Sequence, residues 1–124
     1  RLPVGMSKAD LLPKIAEIAA RYPQASWEVV GGDEPSWCDP DHEMVAIIQK
    51  NVEEAGRPRP QPIVSLGGTD ARLWRHRGVP AYVYGPYPHG MGSHDEHVDI
   101  EEFLHVVRTH VLSAFDYLSR SAPR

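Results

Sequence analysis

At 124 residues the chain fits one small domain or parts of two, and its mixed composition is that of an ordinary globular protein. A net charge of −4 leaves no basic footprint for nucleic acid, and no apolar run approaches the ~20 residues that cross a bilayer. The single cysteine, Cys38, excludes an intrachain disulfide and, with no leader-like opening, points to a reducing, cytoplasmic setting.

The chain opens Arg-Leu-Pro-Val-Gly without an initiator methionine, as though inside a strand, so an upstream portion is expected. Ser7 and Asp10 have capping-box spacing, and Leu11, Leu12, Ile15, Ile18, Ala19 and Tyr22 follow at helical intervals until Pro23. Pro13 falls in the early turns, where it removes a backbone donor. Ser26–Val30 alternates and is rich in β-formers, which predicts a strand closed by Gly31-Gly32. Asp39 and Pro40 suit the start of a second helix, with Met44, Ile47, Ile48 and Val52 on one face and Gly56 as its stop. A short strand over residues 63–66 is expected next, running into Gly-Gly-Thr-Asp-Ala-Arg and a short helix through Arg77. Another strand is expected over Ala81–Tyr84. Asp99 and Glu102 repeat the capping-box pattern. A long helix follows, with Ile100, Phe103, Leu104, Val107, Val111, Leu112, Phe115 and Leu118 as its apolar stripe. Helix, strand, helix, strand, helix from residue 40 onward predicts an α/β layer with partly parallel strands. Two short strands do not bury both faces of a sheet, so neighbouring strands from elsewhere are expected.

Two stretches carry the chemistry. Gly67, Gly68 and Thr69 lie between a predicted strand and a predicted helix, where glycines let the backbone approach a ligand and amide N–H groups attract anions. Thr69 adds a hydroxyl, and Arg72 is able to clamp a carboxylate. The alternative is a plain strand-to-helix turn capped by Thr69 or Asp70. The second stretch is the loop over residues 85–98, which holds His89, His94 and His97 beside Asp95 and Glu96. Histidine is the commonest protein ligand for zinc, and a nearby carboxylate orients a ligating imidazole. The alternative is a solvated loop leading into the last helix. A catalytic zinc takes three protein ligands, and none of the other histidines is clearly placed to join; His105 and His110 are expected on a helix surface.

Taken together, Arg-Leu-Pro-Val-Gly, Pro-Ser-Trp-Cys-Asp-Pro-Asp, Gly-Gly-Thr-Asp-Ala-Arg, Gly-Val-Pro-Ala-Tyr-Val-Tyr-Gly-Pro and Asp-Glu-His-Val span nearly the whole chain in order. This set resembles the C-terminal portion of the co-catalytic metallopeptidases that include acetylornithine deacetylase, succinyl-diaminopimelate desuccinylase, aminoacylase and glutamate carboxypeptidase. The resemblance implies residues 1–32 as the second half of a βαββαβ lid or dimerisation domain, and 33–124 as the last part of a zinc-binding α/β domain. It implies that Arg1 grips the substrate carboxylate and that Gly67, Gly68 and Thr69 meet it from the other side. It also implies a divalent metal, zinc or else manganese or cobalt, with one or two per subunit. The family's last ligand histidine stands four residues ahead of the glutamate, where this chain has Gly92; His94 is the favoured replacement and His89 the second choice. The remaining ligands and the general-base glutamate are expected in the missing N-terminal part of the same protein.

The resulting expectation is a metal-dependent hydrolase of small N-acyl amino acids or peptides with a free carboxylate, working as a homodimer, with these 124 residues inactive alone. The rival is a non-catalytic α/β binding or dimerisation module that has lost its metal, for which the Gly92 departure argues.

Overall fold

The computed structural model describes residues 2–65 and 67–120. Four helices form among them: α1 (Lys8–Ala19), α2 (Glu43–Glu54), α3 (Ala71–Arg75) and α4 (Ile100–Leu118). They fall into two compact units, one reaching Trp37 and adding Val64–Val79, the other taking Cys38–Ile63 and the chain from Pro80 onward.

In the first unit, the start of α1 follows directly from its capping box. The Ser7 hydroxyl oxygen accepts from the Asp10 N–H at 3.2 Å, and the Asp10 carboxylate accepts from the Ser7 N–H at 2.9 Å. The Ser7 hydroxyl also donates to that carboxylate at 2.6 Å, and these bonds hold Asp10 below the ordinary carboxylate range. Pro13 sits inside the helix without ending it. The expected apolar face stays open: α1 has no buried residue, and Ile18 and Tyr22 are more than half exposed. The short α3 is tied to the 33–36 segment instead, by Arg72 to Asp33 at 2.9 Å and by Arg75 to the Ser36 carbonyl at 3.1 Å.

The second unit is built on the packing of α2 against α4. Ile47, Val52 and Val106 are buried there with Asn51, Thr109 and Ser113. The amide of Asn51 donates to the Ile47 carbonyl, the Ser113 hydroxyl and the Asp116 carboxylate, each at 3.2 Å. A buried amide that leaves no donor idle suits a helix pair with few apolar residues at its seam.

Two cap assignments need correction. Helix α2 is capped by His42, whose Nδ1 accepts from the Met44 N–H at 3.1 Å, while the Asp39 carboxylate turns to the Asp41 N–H at 2.9 Å. Asp99 occupies the N-cap of α4 but makes no side-chain cap bond. Its carboxylate takes His89 at 3.0 Å, and Glu102 takes Arg57, so more distant partners win both acids from the capping box.

The expected α/β class is also corrected. Ser26–Val30, the stretch before Leu66 and Ala81–Tyr84 form no ladder, and the described residues contain no sheet; their one β-pairing is an isolated antiparallel bridge between His89 and His97. Leu66 itself lies outside the described residues. A strand persists only if a facing backbone takes up its N–H and C=O groups. Around 81–84 side chains take that role: the Ala81 N–H donates to Cys38 Sγ at 3.3 Å, and the Tyr84 carbonyl accepts from His110 at 2.7 Å. The stripe on α4 fares similarly. Phe103, Leu104, Val111 and Phe115 are more than half exposed, whereas His105, Val106, Thr109 and Ser113 are buried. Among the described residues no helix is long and apolar enough to cross a membrane.

Candidate functional site

The glycine-rich turn belongs to the first unit. The Gly67 N–H donates to the Ser65 hydroxyl at 3.0 Å, and a Cβ added at Gly67 would lie 3.1 Å from that oxygen, so the turn is too tight for a side chain to enter freely. The Thr69 hydroxyl oxygen accepts from the Ala71 N–H at 3.3 Å, which leaves its own proton available to an incoming acceptor. The guanidinium of Arg72 is already engaged, with Asp33 at 2.9 Å and with Asp70 at 3.3 Å, so the carboxylates it holds are the chain's own. Arg1, the other expected carboxylate grip, lies outside the described residues.

The histidine loop belongs to the second unit. His89 and His97 exchange backbone hydrogen bonds of 2.8 and 3.2 Å, and their rings stack with centroids 5.0 Å apart. Nε2 of His89 meets the Asp99 carboxylate, and Nδ1 of His97 meets the Asp95 carbonyl. Between them the chain turns twice through left-handed backbone, at Gly90 (φ +61°) and Gly92 (φ +80°). A Cβ at Gly90 would sit 2.6 Å from the Ser93 hydroxyl, so both space and backbone demand glycine there. Gly92 donates its N–H to the Glu96 carboxylate at 2.9 Å. The place where the resemblance looks for a histidine is therefore one that a histidine would occupy only under strain. His94 is exposed and makes no hydrogen bond among the described residues.

Among the described residues no group of three or more His, Cys, Asp or Glu side chains is placed to hold a metal ion. The pair His89 and His97 does not amend this, because stacked rings direct their in-plane lone pairs side by side rather than at one point. These residues alone do not fit a metal centre.

Of the two histidines expected on a helix surface, His110 is exposed but His105 proves to be interior. His105 is 8% exposed, and its Nε2 lies 2.7 Å from the Tyr84 hydroxyl. Burial, and then the Arg57 cation, hold its pKa below the ordinary histidine value of 6.5, which favours the neutral ring. Burial and then Glu102 raise the Tyr84 phenol, so that hydroxyl keeps its proton, and which partner donates in the bond follows the tautomer of the imidazole. The signal for this in the sequence is slight: His105, Thr109 and Ser113 follow one another at i, i+4 along α4, a polar stripe beside the apolar one.

This geometry carries a pH dependence. The unfolded chain binds a proton at His105 more readily than the folded one does, so stability is lost as pH falls through about 6.5 toward the lower folded value. The urea midpoint is expected to drop between about pH 7.5 and about pH 5.5, and His105→Gln is expected to flatten that slope. An identical slope in the variant would assign the loss to other groups.

A family model described as Peptidase family M20/M25/M40 matches residues 4–115. No curated protein and no solved structure matches the chain. The match spans both compact units, the glycine-rich turn and the histidine loop included. With most of its length accounted for in this way, the chain belongs to peptidase family M20/M25/M40.

Proposed function

We propose that the chain serves a metal-dependent amidohydrolase that cleaves small N-acyl amino acids or peptides bearing a free carboxylate, in a cytoplasmic homodimer. The family match across residues 4–115 carries the hydrolase class. The substrate class draws support from the glycine-rich turn, where Thr69 retains a proton to donate, and from Arg1, a residue type suited to bidentate carboxylate binding. His94, or else His89, supplies one metal ligand, and zinc, manganese or cobalt is the metal. The other ligands and the general base come from elsewhere in the protein, so residues 1–124 on their own are expected to be inactive.

The test uses the full-length protein with added zinc, manganese or cobalt, and compares N-acetyl amino acids with their carboxylate methyl esters. Loss of a charge-assisted contact is worth ~1.5–3 kcal/mol, so kcat/KM is expected to fall at least about tenfold on esterification. Equal rates would remove the carboxylate from the reading. Turnover by residues 1–124 alone would refute the placement of the base and the other ligands.

A further inference from the structure

In the first unit a cavity of about 550 Å³ opens between the start of α1, the segment over residues 32–34 and the far end of α3. Small-molecule sites occupy ~300–1,000 Å³, so this volume admits far more than a single ion. Its walls are tied to one another. The Lys8 N–H donates to the Glu34 carboxylate at 3.2 Å, and the Lys8 ammonium donates to the Gly32 carbonyl at 2.7 Å. Arg72 and Arg75 hold α3 to the same stretch, through Asp33 at 2.9 Å and the Ser36 carbonyl at 3.1 Å. None of the lining residues belongs to the glycine-rich turn or to the histidine loop, so the cavity stands apart from the hydrolase reading.

The charges in the wall restrict what the cavity can hold. Arg77 lines it and, among the described residues, has no side-chain hydrogen bond or ion pair. Glu34 lines it too and meets no cation there, because the Lys8 ammonium is turned to a carbonyl. The charge of Asp33 is already spent on Arg72. An uncommitted cation and an uncommitted anion therefore share one cavity with Leu73 and Trp74, both more than half exposed. A polyanion would meet Glu34, and a plain cation would meet Arg77. A ligand that carries one charge of each sign satisfies both, since a guanidinium takes a carboxylate through two parallel bonds and a carboxylate takes an ammonium. An aromatic body on the same ligand would cover the indole, which gains from ring against ring. We propose that this cavity binds a free amino acid with an aromatic side chain, its carboxylate on Arg77, its ammonium on Glu34 and its ring against Trp74.

The experiment titrates the full-length protein with L-phenylalanine and follows the indole N–H resonance of Trp74, identified by its loss in Trp74→Phe. A saturable shift is expected, with a Kd of about 1 mM. Arg77→Gln and Glu34→Gln are each expected to weaken binding about threefold to fivefold, the worth of an exposed ion pair, and Arg77→Lys to restore most of the loss. Glutamine at position 34 keeps an oxygen for the Lys8 N–H, so the wall survives that change. Two analogues separate the charges. Phenethylamine, which lacks the carboxylate, is expected to respond to Glu34→Gln and to ignore Arg77→Gln. N-acetyl-L-phenylalanine, which lacks the ammonium, is expected to do the reverse. No saturable shift up to about 10 mM, or equal affinity in the wild type and both variants, would overturn the site. L-Alanine binding as tightly as L-phenylalanine would overturn the role of the ring. Pyrophosphate binding more tightly than L-phenylalanine would mark an anion site and overturn the zwitterion. Binding lost in Thr69→Ala but unchanged in Arg77→Gln would move the amino acid to the glycine-rich turn, which overturns this cavity and leaves the hydrolase reading standing.

Discussion

Replacing both His89 and His94 by alanine is expected to deprive the full-length protein of bound metal and to cut hydrolysis of N-acyl amino acids by about 100-fold or more, beyond what loss of an outer-shell partner costs. The single variants are expected to be unequal. His89 already has a partner in Asp99 at 3.0 Å and a stacking neighbour in His97, so its ring is committed within the loop. His94 is exposed and makes no hydrogen bond among the described residues, which leaves both ring nitrogens available. His94→Ala should therefore carry most of the loss, and metal content measured on the dialysed protein is the direct check. Restoring a histidine at Gly92 should not rescue the double variant, because the backbone there has φ +80° and its N–H holds Glu96. Full metal occupancy in the double alanine variant would sink the assignment of this loop as a ligand source.

The largest expected effect on stability belongs to Ile47→Ala. Ile47 is 3% exposed and, among the described residues, the buried hydrophobic side chains number three, the others being Val52 and Val106. Truncating a buried isoleucine to alanine costs ~2–5 kcal/mol through lost transfer energy and the cavity left behind. Here it removes a large share of the apolar contact between α2 and α4. The Asn51 amide depends on that contact, because it donates both to the Ile47 carbonyl on its own helix and to Ser113 and Asp116 on the other. Urea denaturation followed by circular dichroism is expected to show a lower midpoint and partial loss of helix signal. A change below about 0.5 kcal/mol, the range of ordinary surface substitutions, would show that the seam is held by its polar bonds instead.

The elements that could be read in advance are those whose causes are local. Ser7 and Asp10 are three residues apart, and the box they form needs nothing from the rest of the chain. The extents of α2 and α4 follow from helical periodicity and from the glycine after α2 in the same way. Local pattern is a poor guide wherever a side chain has a choice of partner. Asp99 and Glu102 have capping-box spacing, yet His89 and Arg57 claim them. Asp39 and Pro40 resemble a helix start, but the imidazole of His42 accepts from the Met44 N–H and caps α2, while Asp39 takes the Asp41 N–H. The expected strands failed for a related reason, since alternation describes what a strand needs on its faces and says nothing of which backbone will pair with it.

Gly67, Gly68, Thr69 and the three loop histidines stand out in the sequence by their clustering, but among the described residues no group of three or more His, Cys, Asp or Glu side chains gathers to hold a metal ion. The pairing of half-buried Tyr84 with buried His105 has no signature in the sequence, since twenty-one residues separate them and no motif links them.

By itself the sequence determined the helices, the glycine-dependent turns and the family, because caps, periodicity and ordered motifs are properties of neighbouring residues. Tertiary structure alone decided which face of α4 turns inward, that no sheet pairs among the described residues, and that Tyr84 is held at both ends. Burial and hydrogen bonding are settled by whichever groups come to lie opposite one another, and distance along the chain does not encode that.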